Sequence, residues 1–178
     1  KIQYFPKFNW PRIENPKITF PINDDNLQKV IDLENIAINE IKDAFYHNPD
    51  DIAAIIIEPI QGEGGDNHFR TEFFQKLREL SDENDALLIF DEVQTGLGIT
   101  GTYWAFEQLG VIPDIFAFGK KTQVCGIAAT TRIDDVAENV FHTPSRINST
   151  WGGNLTDMVR STRYLEIIQE DNLLDNVK

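Results

Sequence analysis

Five apolar residues in succession, Ala86-Leu87-Leu88-Ile89-Phe90, ended by Asp91 and Glu92, constrain this chain more than any other feature. A strand with one face in water alternates apolar and polar residues. A strand without a polar residue is covered on both faces, which is the condition of a parallel sheet between helices. The flanking patterns agree. Phe73, Leu77 and Leu80 mark one face of a helix, as do Val30, Leu33, Ala37, Ile41, Ala44 and Phe45 further upstream, in a helix predicted to end near Asn48-Pro49. Residues 52–57, 115–118 and 127–131 read as further strands, 102–109 as a short helix, and Leu155, Met158, Val159, Thr162, Leu165 and Ile168 as a long final helix. Strands alternating with helices predict an α/β fold, with a mainly parallel sheet and helices on both faces. Ligands bind such sheets beyond the carboxyl ends of the strands, and Glu58 and Asp91 both fall there.

Composition excludes several classes of function. The formal net charge is -13 and the 16 Lys and Arg residues form no basic run, so the chain lacks the clustered cations that bind phosphate backbones, and no nucleic-acid partner is expected. No apolar stretch approaches the length of a membrane span, and no segment near the start has signal-peptide flanks. Without a secretory signal the sequons at Asn148 and Asn154 read as coincidence. The single Cys125 forms no internal disulfide, which fits a reducing compartment, and the cytoplasm is the expected location. His47, His68 and His142 are scattered without metal-ligand spacing, and no metal is expected.

An apolar strand ending in Asp-Glu also describes the magnesium-binding strand of a P-loop ATPase. That reading needs a glycine-rich loop closing on Gly-Lys-Ser/Thr, and nothing before residue 87 supplies one. A different partner for Asp91 lies downstream: Lys120, which closes the apolar run from Ile115 to Gly119. In isolation it reads as a surface lysine. After so apolar a run, a desolvated ammonium loses proton affinity and becomes a usable nucleophile. Lys121 is its alternative in register.

Four stretches stand in a recognisable order: Glu58-Pro59-Ile60-Gln61-Gly62-Glu63; Asp91-Glu92-Val93-Gln94-Thr95-Gly96; Pro113-Asp114 followed by Lys120; and Ser149-Thr150-Trp151-Gly152-Gly153-Asn154. On these the chain resembles the class III aminotransferases, over about residues 50 to 160. The resemblance implies the large cofactor-binding domain of a fold-type I transferase that uses pyridoxal 5'-phosphate (PLP). Lys120, six residues after Asp114 as in the family pattern, would carry the cofactor and then move the proton. Asp91 would keep the ring nitrogen protonated, Val93 would pack on the ring and Gln94 would bond its hydroxyl. Thr150 would reach across a homodimer interface to the partner's cofactor phosphate, although a helix N-cap explains it equally. Glu63 would act as the substrate switch, and its plain reading is an exposed loop carboxylate.

The run Gly119 to Gly126 and Ile99 depart from most of the family, and in doing so resemble members that move the ε-amino group of L-lysine to 2-oxoglutarate. Ornithine, 4-aminobutyrate or another ω-amine is the alternative donor, and a non-catalytic sheet segment the alternative class. By the same resemblance residues 1–178 are expected to form part of the large domain, without the N-terminal segment and the C-terminal small domain, and to be inactive and poorly stable alone.

Overall fold

The computed structural model describes residues 7–147, 149–151 and 153–177. Asn148 and Gly152, which belong to the sequon and the Ser-Thr-Trp-Gly-Gly-Asn stretch, lie outside that range. The chain divides into two compact units, Lys1–Ile52 and Ala53–Lys178.

In the first unit an irregular lead-in precedes helix α1, Asp24–His47. Asn23 caps its start by accepting a hydrogen bond from the Asn26 amide at 2.9 Å, and Asp24 and Asp25 place negative charge against the positive end of the helix dipole. The buried stripe is Val30, Glu34, Ala37 and Ile41, at the spacing that predicted the helix. The helix stops at Asn48, whose side chain donates to the Ala44 carbonyl at 2.8 Å, just before Pro49.

The second unit is built on a four-stranded sheet in the order β1-β2-β3-β4. Strands β1 (Ala54–Ile57), β2 (Leu87–Asp91) and β3 (Ile115–Phe118) are parallel, as expected. Strand β4 (Gly126–Ala129) runs antiparallel to β3. The reason is the length of the connection. Residues 119–125 are too few for a parallel crossover, which needs about a dozen residues or more, so the chain turns back.

Helix α2, Thr71–Glu83, buries Phe73, Phe74, Leu77 and Leu80, and the Phe74 ring meets Phe90 of β2 edge-on at 5.5 Å. Phe90 pairs in register with Phe116, so the rings of Trp104 and Phe106, at 4.6 and 5.4 Å from Phe116, cover the same face of the sheet. The opposite face carries Leu87, Ile89 and Asp91, half-buried, and Ile56, which is exposed. The helix predicted over 102–109 is confined to α3, Phe106–Leu109. Ahead of it the Thr102 hydroxyl donates to the Trp104 carbonyl at 2.7 Å, a local bond that competes with helical pairing. Helix α4, Leu155–Glu170, is capped by Asn154, which accepts from the Thr156 and Asp157 amides.

At the amino ends of β2 and β3, buried Asp114 accepts from the Leu88 amide at 2.7 Å and from Arg78 Nη1 of α2 at 2.8 Å, with Arg132 Nη1 at 3.4 Å. One carboxylate thus ties two strands and a helix, which leaves the opposite ends of the strands free for chemistry.

Candidate active site

The carboxyl ends of β1, β2 and β3 each run into a turn that carries candidate residues. Ile57 pairs with Phe90, so Glu58 and Asp91 occupy the next positions on neighbouring strands. The Glu92 amide donates to the Ala117 carbonyl at 2.9 Å and carries the β2–β3 pairing to the edge of the third turn, Gly119 to Lys121.

Glu58 feels the charges of both Asp91 and Lys120. Burial pushes the Glu58 carboxyl above its ordinary range, Asp91 pushes it further, and the Gly62 amide and the Lys120 ammonium pull it back. The expected pair is therefore joined by a second acid, for which the sequence suggested only a supporting place at a strand end. Asp91 Oδ1 accepts from the Val93 amide at 3.0 Å, a local turn that fixes the carboxylate just beyond its strand.

Val93 and Gln94 line the gaps between the turns. A Cβ on Gly119 would stand 3.8 Å from Val93 Cγ1 and 3.1 Å from Cys125 Sγ, and one on Gly62 would stand 3.4 Å from Gln94 Cγ. Small residues at these two positions let the side chains lie close to the neighbouring backbone.

Lys120 opens a short 3-10 turn, Lys120–Thr122, in the left-handed region at φ 53°. For a side chain with a Cβ this conformation costs about 1 kcal/mol, and surrounding bonds hold it. The Gln123 amide donates to the Lys120 carbonyl at 3.0 Å and the Thr122 hydroxyl to the Val124 carbonyl at 2.6 Å. Lys120 is exposed, whereas Lys121 is half-buried and donates from Nζ to the Gln94 carbonyl at 2.5 Å. Burial, and after it the Lys120 charge, lowers the proton affinity of Lys121.

Glu92 is buried and turned inward, accepting from the Thr95 hydroxyl and from the Ala105 and Phe106 amides at 3.1 and 2.9 Å. It organises the start of α3, and nothing in its sequence position beside Asp91 foretold that role. Glu63 is exposed on the loop 61–67, which Gln61 and Asn67 close by exchanging backbone hydrogen bonds at 3.0 and 3.2 Å. Thr150 is exposed ahead of α4, and no hydrogen bond among the described residues joins it to Glu58, Asp91 or Lys120. Among the described residues no group of three or more His, Cys, Asp or Glu is placed to hold a metal, and no helix is long and apolar enough to cross a membrane.

The family model described as "Aminotransferase class-III" matches residues 5–178. The chain belongs to the class III aminotransferases. Among curated class III relatives, the L-lysine-epsilon aminotransferase of Mycobacterium tuberculosis is 60% identical over 96% of this chain and 37% of its own length. That of Streptomyces clavuligerus is 53% identical over 99% of the chain and 38% of its length. The 4-aminobutyrate aminotransferase of Schizosaccharomyces pombe is 38% identical over 97% and 35%. The chain thus spans little more than a third of the length of these relatives. A solved structure of the lysine aminotransferase from M. tuberculosis in the internal aldimine form superposes with a TM-score of 0.90 at 59% identity, over 97% of this chain and 39% of that one. The class III fold expected from the sequence is the fold observed.

Proposed function

We propose that the protein carrying this chain is a PLP-dependent transaminase that moves the ε-amino group of L-lysine to 2-oxoglutarate, giving glutamate and 2-aminoadipate 6-semialdehyde. The observation that carries the reading is the cluster of Glu58, Asp91 and Lys120 at the carboxyl ends of three adjacent parallel strands. Its donor chemistry fits PLP: an amine able to hold the aldehyde carbon, a carboxylate to pair with the ring nitrogen, and Val93 and Gln94 between them. When bound, PLP supplies an electron sink for charge that develops at the substrate carbon.

Around that group the chain's own residues orient and move protons. Asp91, fixed by the Val93 amide, would pair with the ring nitrogen. Val93 would pack on the ring, and Gln94 would bond its hydroxyl. Lys120 Nζ would hold the cofactor and, once freed by the substrate amine, would serve as the general base and acid that moves the substrate proton. Lys120 is preferred to Lys121 because the Lys121 ammonium is already held on the Gln94 carbonyl. Glu63, exposed on its loop, switches between the amine and the carboxylate substrate. Thr150 serves the cofactor phosphate of the partner in a homodimer, in keeping with its exposure just before a helix start. The 178 residues form part of the large domain, and the enzyme works in the cytoplasm.

The lysine donor follows the names of the relatives at 51 to 60% identity, whereas the 4-aminobutyrate enzymes stand at 33 to 38%. Borohydride reduction of the full-length holoenzyme, followed by peptide mapping, is expected to fix the pyridoxyl group on Lys120. Addition of L-lysine alone is expected to convert the cofactor of the native enzyme, and not that of Lys120→Ala, to the pyridoxamine form, read by absorbance. Normal turnover by Lys120→Ala removes Lys120 from the mechanism. A cofactor that binds but responds only to 4-aminobutyrate or ornithine retains the family chemistry and overturns the donor.

A further inference from the structure

Lys121 has a side chain that the reaction does not use, yet its surroundings are built for it. It stands at the rim of an open groove of about 380 Å³, whose lining also includes Leu97, Gln123, Tyr164, Ile167, Ile168 and Leu173. Nζ crosses to the turn after β2 and donates to the Gln94 carbonyl at 2.5 Å. Just after the 3-10 turn, Gln123 Oε1 accepts from Arg160 Nη1 of α4 at 3.0 Å, a separate bond that joins this segment to the helix. An ammonium on a carbonyl oxygen is a charge-assisted bond, stronger and shorter than a neutral one. Here it bridges residues 27 apart in sequence that belong to the two turns presenting Lys120 and Val93–Gln94.

We infer that Lys121 is a positioning residue of the active site: held on the Gln94 carbonyl through its ammonium, it fixes the spacing between the lysine turn and the Val93–Gln94 turn. The inference rests on the assignment of Lys120 as the cofactor lysine. Errors of about an ångström in the placement of reacting groups cost up to about a hundredfold in rate, so a tether between the turns acts on kcat more than on binding of the amino donor. The bond needs a donor on a long arm carrying a charge. Arginine supplies both and methionine supplies only the stem.

The test uses the full-length enzyme with Lys121→Met and Lys121→Arg. The Met variant is expected to lose on the order of tenfold in kcat while KM for L-lysine changes by less than about twofold. In the cofactor-free protein its amides over 93–98 and 119–125 are expected to exchange with deuterium faster than in the native enzyme. The Arg variant is expected to recover both kcat and protection. Should the Met protein fail to fold, Lys121→Gln, whose arm is too short to reach, is read in the same way. Unchanged kcat and exchange in the Met or Gln protein overturn the inference, and so does an Arg variant as impaired as the Met one. The pyridoxyl tag separates this inference from its premise. A tag lost in Lys121→Met but kept in Lys120→Ala makes Lys121 the cofactor lysine and overturns both, whereas a tag on Lys120 with no effect of Lys121→Met overturns the tether alone.

Discussion

At the scale of single residues, the site sets charges against a partly desolvated surround. Glu58 shows this most directly. Its carboxyl is raised by burial first and by Asp91 second, so the folded protein holds that proton more tightly than the unfolded chain does. Its contribution to stability is present below the ordinary value of 4.5 and is lost as pH rises through the raised value. Glu58→Gln stays neutral throughout. Its melting temperature is therefore expected to match that of the native protein near pH ~4 and to exceed it near neutrality, as read by calorimetry on the full-length protein. A difference that narrows with rising pH sinks this account. The positions of Asp91 and Lys120 at strand ends were legible in the sequence because each closes an apolar run. The part played by Glu58 was not, because adjacency to Asp91 is a property of strand register, which no single segment encodes.

At the scale of elements, the sheet is secured from below so that its upper turns are free to present side chains. Asp114 holds the lower end. Truncating it leaves the Leu88 amide without its acceptor and the half-buried Arg78 guanidinium with Asp82 alone, and Asp114→Ala is expected to cost roughly 1–3 kcal/mol in urea unfolding, the range for a buried donor left unsatisfied. An effect below about 1 kcal/mol, the range of surface pairs, would show that Asp114 does not clamp the sheet. The turn after β2 depends on an absence of side chain: a Cβ on Gly96 would lie 2.4 Å from the Trp104 ring and 2.9 Å from the Glu92 carbonyl oxygen. Gly96→Ala is thus expected to displace Trp104 from Phe116, destabilising by roughly 1–3 kcal/mol with a change in tryptophan emission. Normal emission and stability would mean that the ring has room to move. Periodicity located α1, α2, α4 and three of the strands closely, because each carries an apolar face of its own. It overran at α3, where side-chain bonds take over the backbone's partners, and the direction of β4 had to be read from the length of the connection before it.

At the scale of the whole molecule, the chain has the fold of the matching portion of much longer enzymes, and its surface reflects that. Helix α4 has no buried residue, and Leu155, Val159 and Ile56 are 78, 72 and 67% exposed. Apolar exposure on this scale marks surfaces made to be covered. A polypeptide of these 178 residues alone is expected to self-associate and to show no transaminase activity with added PLP, checked by sedimentation velocity and by glutamate formation. A monomer that melts cooperatively and turns over L-lysine would overturn that expectation.

The strand order has a consequence for how the sheet is made. Each strand pairs with its predecessor in sequence, β1 with β2, β2 with β3 and β3 with β4. No strand has to be inserted between two that are already joined. During synthesis the sheet is able to grow from one side, adding an edge as each segment leaves the ribosome. The last of these four strands, β4, follows directly on the turn that bears Lys120. That turn is then shaped late, after Glu58 and Asp91 are already in position.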